Sequence, residues 1–291
     1  MKIWWLGLGA LAGGIAPAAA APHEASAPRP IGIGVAHSIN SLALGQLRVI
    51  NVVLPASYTK DPHRKYPVLY VIDGGIEQDL LHVAGVAHLG AVWGRSSEAI
   101  VVGIETKDRR RELAGPTKDP ELLKRYPTAG ASRSFRRFIR EEVKPLVEAK
   151  YRTNGQDAVL GESLAGLFIV ETYLQEPSLF GGYAAIDPSL WWDKEALSLS
   201  ALRTSNGQHK ARSIYIAAAK EQSETPEALN RVIAAIKGGP GKLCVASRPD
   251  LLHSTIYQQL TPQAVQFLMR PAEAPPAEFG FTVRCDEGSG V

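Results

Sequence analysis

Six short runs of nearly unbroken apolar residues constrain the fold of this chain more than any other feature. They are Val68–Ile72, Ala99–Ile104, Ala158–Leu160, Tyr183–Ile186, Ile214–Ala218 and Leu243–Ala246. A strand that is apolar on both faces has to be covered on both faces. That happens in parallel sheets, where the crossover helices lie above and below. Helix-like stretches do separate the runs: Gln78 to Trp93 is one, and Phe135, Phe138, Ile139, Val143, Leu146 and Val147 follow helical spacing in another. Pro145 should distort that second helix locally. An alternating strand, Leu47–Leu54, precedes them and is ended by Pro55. The expected fold class is α/β: one domain over residues 36–270 with a mostly parallel sheet and helices on both faces. Residues 21–35, rich in Pro, Ala and Gly, read as a flexible leader, and 271–291 as a C-terminal tail. The polar loop Glu105–Ser132 is long for a compact domain, and such loops often carry function.

The first twenty residues have a different character. Lys2 is followed by the apolar run Ile3–Ile15, then Pro17 and the alanines Ala18–Ala21. A basic start, an apolar core and an A-x-A exit make a secretory signal peptide over 1–20, with a periplasmic or secreted product. The run is shorter than the roughly 20 apolar residues a spanning helix needs, so no stable membrane insertion is expected after cleavage. A formal net charge of +3 over 291 residues implicates no nucleic acid as partner. Export permits a disulfide, and Cys244 and Cys285 would then tie the tail to the body.

In an open parallel sheet, ligands bind beyond the carboxyl ends of the strands. The Ala158–Leu160 run leads into Gly161-Glu162-Ser163-Leu164-Ala165-Gly166 and then an apolar, helix-like segment. Strand, tight turn with a serine at its tip, then helix is the layout of a nucleophile elbow. The pattern G-x-S-x-G is missed by one residue, because Ala165 stands where the second glycine belongs; alanine is the next smallest side chain. Past the strand at 214–218 comes Glu221, with Glu224 and Asp250 as competing carboxylates, and past the strand at 243–246 comes His253. Serine, acid, histidine is the chain order of α/β-hydrolases. The chemistry requires these types: a serine hydroxyl attacks only when a base takes its proton, and a carboxylate orients the imidazole and stabilises its charged form. The expected oxyanion donors are the N–H of Leu164 and that of Gly75 in the Asp73-Gly74-Gly75 turn. His82 and His88 are six apart and would not share a helix face as metal ligands do, so neither metal nor organic cofactor is expected.

From His37 to about Leu268 the chain resembles an esterase family of α/β-hydrolases. That family includes enterochelin-type siderophore esterases, S-formylglutathione hydrolase, feruloyl esterase domains and mycolyltransferases. The stretches that carry the resemblance are HSINSLALGQLRVINVVLPASY, KYPVLYVIDGG, AIVVGIETKDRRREL, FRRFIREEVKPLVEAKYRT, GESLAGLF and AIDPSLWWD. It is most similar to the siderophore-esterase-like branch. The resemblance implies Ser163 as nucleophile, His253 as base, Gly75 and Leu164 as oxyanion donors, and, by analogy with mycolyltransferases, Glu221 as acid. Asp187 departs from the serine common before the Pro188-Ser189-Leu190-Trp191-Trp192 segment. Asp73, Trp191, Trp192 and Arg109 are expected to line the cleft, with one tryptophan buried and the other facing the substrate. The expected activity is hydrolysis of small-molecule carboxylic esters. Acyl transfer to a sugar or alcohol, or a silent fold used for binding, are the alternatives.

Overall fold

The computed structural model describes residue 27 and residues 29–204, 212–238 and 240–288; the expected signal segment lies outside the described residues. The apolar runs become strands that lie side by side. β3 (Tyr66–Ile72), β4 (Ile100–Ile104), β5 (Thr153–Glu162), β6 (Gly182–Ile186), β7 (Ser213–Ala218) and β8 (Leu243–Ser247) are mutually parallel. β4 and β6 are buried along their whole length, as strands covered on both faces must be. β1 (Val35–Ser41) and β2 (Gln46–Val53) form an antiparallel hairpin, and β2 pairs antiparallel with β4. β2 alternates buried and half-buried positions, which is the pattern of a strand nearer the sheet edge. A short β9 (Glu287–Gly288) pairs antiparallel with β8, giving the order β1-β2-β4-β3-β5-β6-β7-β8-β9.

The core is split by the sheet into two layers. One gathers Phe135, Phe138, Phe168, Leu174, Phe180 and Val232 with one set of strand side chains. The other gathers Leu80, Val83, Tyr257, Leu260 and Val265 with the opposite set. The helices of the first layer are α2 (Arg109–Leu113), α3 (Pro120–Arg125), α4 (Ser132–Phe138), α5 (Lys144–Lys150), α6 (Leu164–Gln175), α7 (Trp192–Thr204) and α9 (Glu227–Ile236), with contacts among α2, α4 and α6 and between α7 and α9, while the short α8 (Lys220–Glu224) follows β7 and buries no side chain. α1 (Leu80–Val92) and α10 (His253–Leu268) pack together in the second. The distortion expected near Pro145 takes a definite form: a π-helical turn, Ile139–Val143, interrupts the helical run directly before α5, and Pro145 sits in the first turn of α5.

Two parts of the chain have more structure than their composition indicates. The hairpin strand β1 is not legible in the sequence, because its half-exposed face shows no clean alternation. The tail is bound to the sheet: Cys244 on β8 and Cys285 form a disulfide with Cα atoms 5.1 Å apart, closing a 41-residue separation. Among the described residues no helix is long and apolar enough to cross a membrane.

Candidate active site

Three consecutive strand ends in the middle of the sheet carry unusual backbone. Asp73 after β3, Ser163 after β5 and Asp187 after β6 have φ of 59°, 60° and 42°. Non-glycine residues adopt such angles at a cost, and they persist where surrounding contacts hold them. At the elbow those contacts are plain. The Ser163 N–H donates to Ile186 O at 3.0 Å, and Ser163 O accepts from Leu167 N at 2.9 Å and Ser189 N at 3.0 Å. Gly161 has no room for a side chain: a Cβ there would lie 2.7 Å from Ala165 Cβ. The departure from G-x-S-x-G therefore works because the glycine that precedes the turn leaves space for the alanine that comes after it. Gly166 is equally constrained, since its Cβ would lie 3.0 Å from Pro188 Cα.

The strand register aligns the candidate groups. Glu162 on β5 is level with Ile186 on β6, so Ser163 and Asp187 come next at the same height. The Ser163 hydroxyl lies 3.2 Å from Ser189 Oγ. His253, the first residue of α10, places Nδ1 2.5 Å from Asp187 Oδ2. Asp187 is 3% exposed. Its other oxygen accepts from Ala219 N at 2.8 Å and from Gln222 Nε2 at 2.9 Å. The Asp187 hydrogen bond raises the His253 pKa above its ordinary value, against the opposing effect of burial.

The carboxylate that meets His253 is therefore Asp187 and not Glu221. Glu221 is exposed in the first turn of α8 and acts on His253 only through its charge, without a hydrogen bond. Glu224 pairs with Lys220 at 3.7 Å, and Asp250 pairs with Arg248 at 2.6 Å. The turn after β7 instead supports Asp187: the Ala219 N–H and the Gln222 amide both donate to it. A signal for this exists in the sequence. Asp187 stands where serine is common, directly past a strand, and its substitution places a carboxylate level with Ser163.

The expected oxyanion donors differ in their state. Leu164 begins α6, so its N–H is one of the amides a helix leaves without an internal acceptor. The Gly75 N–H, by contrast, donates to Gln78 Oε1 at 2.9 Å, and Gln78 Nε2 in turn donates to Thr106 O at 3.0 Å. Gly75, the expected second donor, thus has its N–H engaged within its own turn.

The residues expected to line the cleft divide clearly. Asp73 is buried and holds Arg109, with Arg109 Nε and Nη2 2.9 and 2.8 Å from its Oδ2; Thr106 donates to the other oxygen. Arg109 stands at the start of α2, and a buried pair anchors that helix: Arg48 on β2 meets Glu112 at 2.7 and 2.9 Å. Trp192 is 4% exposed and packs against Tyr126, while Trp191 is 61% exposed. Burial pushes Glu162, beside the serine, up to about 7, and Asp79, at the start of α1, up to about 6. Among the described residues no group of three or more His, Cys, Asp or Glu could hold a metal ion.

Comparison with known proteins bears on the family and the fold. The family model described as "Putative esterase" matches residues 41–236, well over half of the chain. The ferri-bacillibactin esterase BesA of Bacillus subtilis is 30% identical over 167 residues, covering 50% of this chain and 56% of that protein, so the match spans little more than half the relative's length. A siderophore enterobactin esterase of Emericella nidulans is 33% identical over 95 residues, covering 32% of this chain and 31% of that protein. Among solved structures, an IroE-like serine hydrolase from Shewanella oneidensis superposes with a TM-score of 0.69 at 22% identity, covering 80% of this chain and 78% of that one. The siderophore hydrolase EstB from Aspergillus nidulans does so with a TM-score of 0.69 at 19% identity, covering 87% and 100%. The sheet order, the elbow and the family match lead to one statement: the chain belongs to this esterase family and has the α/β-hydrolase fold.

Proposed function

We propose that this chain is an exported serine esterase that cleaves small-molecule carboxylic esters through an acyl-enzyme, with Ser163, His253 and Asp187 as its triad. One observation carries the reading: a serine at φ 60° between a strand and a helix, level with a buried aspartate that holds a histidine at 2.5 Å. His253 Nε2 takes the proton of Ser163 Oγ as that oxygen attacks the ester carbonyl. The imidazolium then forms opposite Asp187, whose negative charge and hydrogen bond stabilise it. The oxyanion rests on the Leu164 N–H, with the Gly75 N–H as second donor once it exchanges Gln78 Oε1 for the substrate oxygen. His253 returns its proton to the leaving alcohol. Water, deprotonated by the same ring, then attacks the acyl-enzyme and frees the acid and Ser163.

In the resting arrangement the hydrogen-bond partner of Ser163 Oγ is Ser189, and such bonds rearrange when substrate enters. Similarity to the bacillibactin and enterobactin esterases favours siderophore esters among the substrates, and the exposed Trp191 offers a flat wall to an aromatic part. Asp73, Arg109 and Trp192 shape the cleft behind it. The expected signal segment supports a periplasmic or secreted enzyme. The test is covalent labelling: a fluorophosphonate should modify Ser163 alone. A modified peptide elsewhere, with Ser163 unlabelled, would contradict the assignment.

A further inference from the structure

The backbone of the turn after β3 is pinned on several sides. Gly74 N donates to Ile104 O at 2.9 Å, and Gly74 O accepts from Asn51 Nδ2 at 3.0 Å. Asp73 O accepts from Asp79 N at 2.9 Å, and Gly75 O from Gln78 N at 3.0 Å. The Gly75 N–H differs from that of Gly74, because its acceptor is a side chain, Gln78 Oε1 at 2.9 Å. Val71 on β3 is level with Leu160 on β5, so this turn leaves the sheet beside Ser163 and Leu164. The neighbours of the Gln78 amide dictate its orientation. Oε1 faces two donors, Gly75 N and, at 3.4 Å, Thr106 N; Nε2 faces two oxygens, Thr106 O at 3.0 Å and Oγ1 at 3.2 Å. A flipped amide would set N–H against N–H. Thr106 is itself buried, and its hydroxyl proton goes to Asp73, which Arg109 holds from another side.

We propose, resting on the serine-esterase reading, that Gln78 is a positioning residue that reserves the Gly75 N–H for the transition state. An ester carbonyl is neutral and a weaker acceptor than an amide oxygen, so bound substrate leaves the Gln78 contact in place. Attack changes the acceptor. As Ser163 Oγ bonds to the carbonyl carbon, the π pair moves onto the carbonyl oxygen and the hydroxyl proton passes to His253 Nε2. Hydrogen bonds to an ionised acceptor are about twice as strong as neutral ones. The oxyanion therefore takes the Gly75 N–H, and Gln78 Oε1 keeps Thr106 N. Collapse to the acyl-enzyme restores a neutral carbonyl, and Gln78 recovers the N–H. A contact made only in the transition state raises kcat, whereas one made equally to the substrate only lowers KM. The turn needs no help from Gln78 to aim the donor, since Ile104, Asn51 and Asp79 hold its backbone independently.

The experiment compares kcat and KM for p-nitrophenyl butyrate in the unmodified enzyme, Gln78→Met and Gln78→Glu. Methionine keeps the length of the side chain and removes the competing acceptor. The substrate carbonyl then takes the Gly75 N–H, so KM should fall and kcat/KM rise, each by about threefold to tenfold, the worth of one hydrogen bond. Glutamate makes the competitor ionic, and kcat/KM should fall by a similar factor of about threefold to tenfold or more. A merely structural role lowers kcat/KM in both variants. Gln78→Met at or below the unmodified kcat/KM, or Gln78→Glu at or above it, overturns the proposal. If Gln78→Met does not fold, a crystal structure of the unmodified enzyme carrying a fluorophosphonate adduct on Ser163 decides. Gly75 N should then meet the phosphonyl oxygen, with Gln78 Oε1 more than about 3.5 Å away; Gly75 N still on Gln78 Oε1 overturns the proposal. Ser163→Ala separates the two levels. Turnover that survives it sinks the serine reading, whereas its loss together with a slowed Gln78→Met sinks only the role of Gln78.

Discussion

At the scale of single residues, the proposed triad depends on which carboxylate meets His253. Asp187 is buried, receives three donors and lies 2.5 Å from the ring, whereas Glu221 is exposed and unbonded to it. Asp187→Asn should lower kcat by about a thousandfold or more, as loss of a triad acid does. Glu221→Gln should change it by less than about threefold, the effect of one distant screened charge; steady-state kinetics on p-nitrophenyl butyrate compares them directly. His253 has its pKa raised, mainly by Asp187, so the acid limb of kcat/KM should have its midpoint above the usual histidine value. Asp187→Asn should move that midpoint down, and an unmoved midpoint would remove Asp187 from the site. Ser163 and the Leu164 N–H are readable from spacing, because the serine directly succeeds β5 and Leu164 the serine, and His253 is readable from chain order, as the histidine that opens the helix after β8. The acid is not. Choosing it requires knowing that β5 and β6 are neighbours in register, and that the turn after β7 points its donors at Asp187.

At the scale of elements, the sheet is largely legible because strands buried on both faces leave unbroken apolar runs. β1 and β9 are not: one is half-exposed, the other only two residues long and held by the disulfide. The elbow shows how close packing replaces a motif. Gly161→Ala would force its Cβ to 2.7 Å from that of Ala165, which has no rotatable side chain to move aside, costing about 1–3 kcal/mol. Ala165→Gly should keep activity and lose only about 1 kcal/mol of helix propensity. The double variant should then be more stable than Gly161→Ala alone, read from urea midpoints. If it is no better, crowding between these two positions is not what keeps Gly161.

At the scale of the whole molecule, function costs stability. Glu162 and Asp79 have folded pKa values of about 7 and 6, above their unfolded values, so the native state binds more protons over that range. His253, raised as well, acts in the same direction. Stability should therefore increase as pH falls from about 8.5 to about 5.5, and Glu162→Gln should gain about 1–2 kcal/mol at the higher pH, the partly solvated position screening the rest. Equal urea midpoints at both pH values would contradict this. Cys285→Ser, opening a 41-residue loop, should cost about 2–4 kcal/mol. Above all these stands the claim that Ser163 is the nucleophile. The direct measurement is kcat for p-nitrophenyl butyrate in the Ser163→Ala variant, with its fold checked by circular dichroism. The account predicts a folded protein whose turnover falls by at least about a thousandfold, and a folded variant that hydrolyses the ester at the wild-type rate would contradict it.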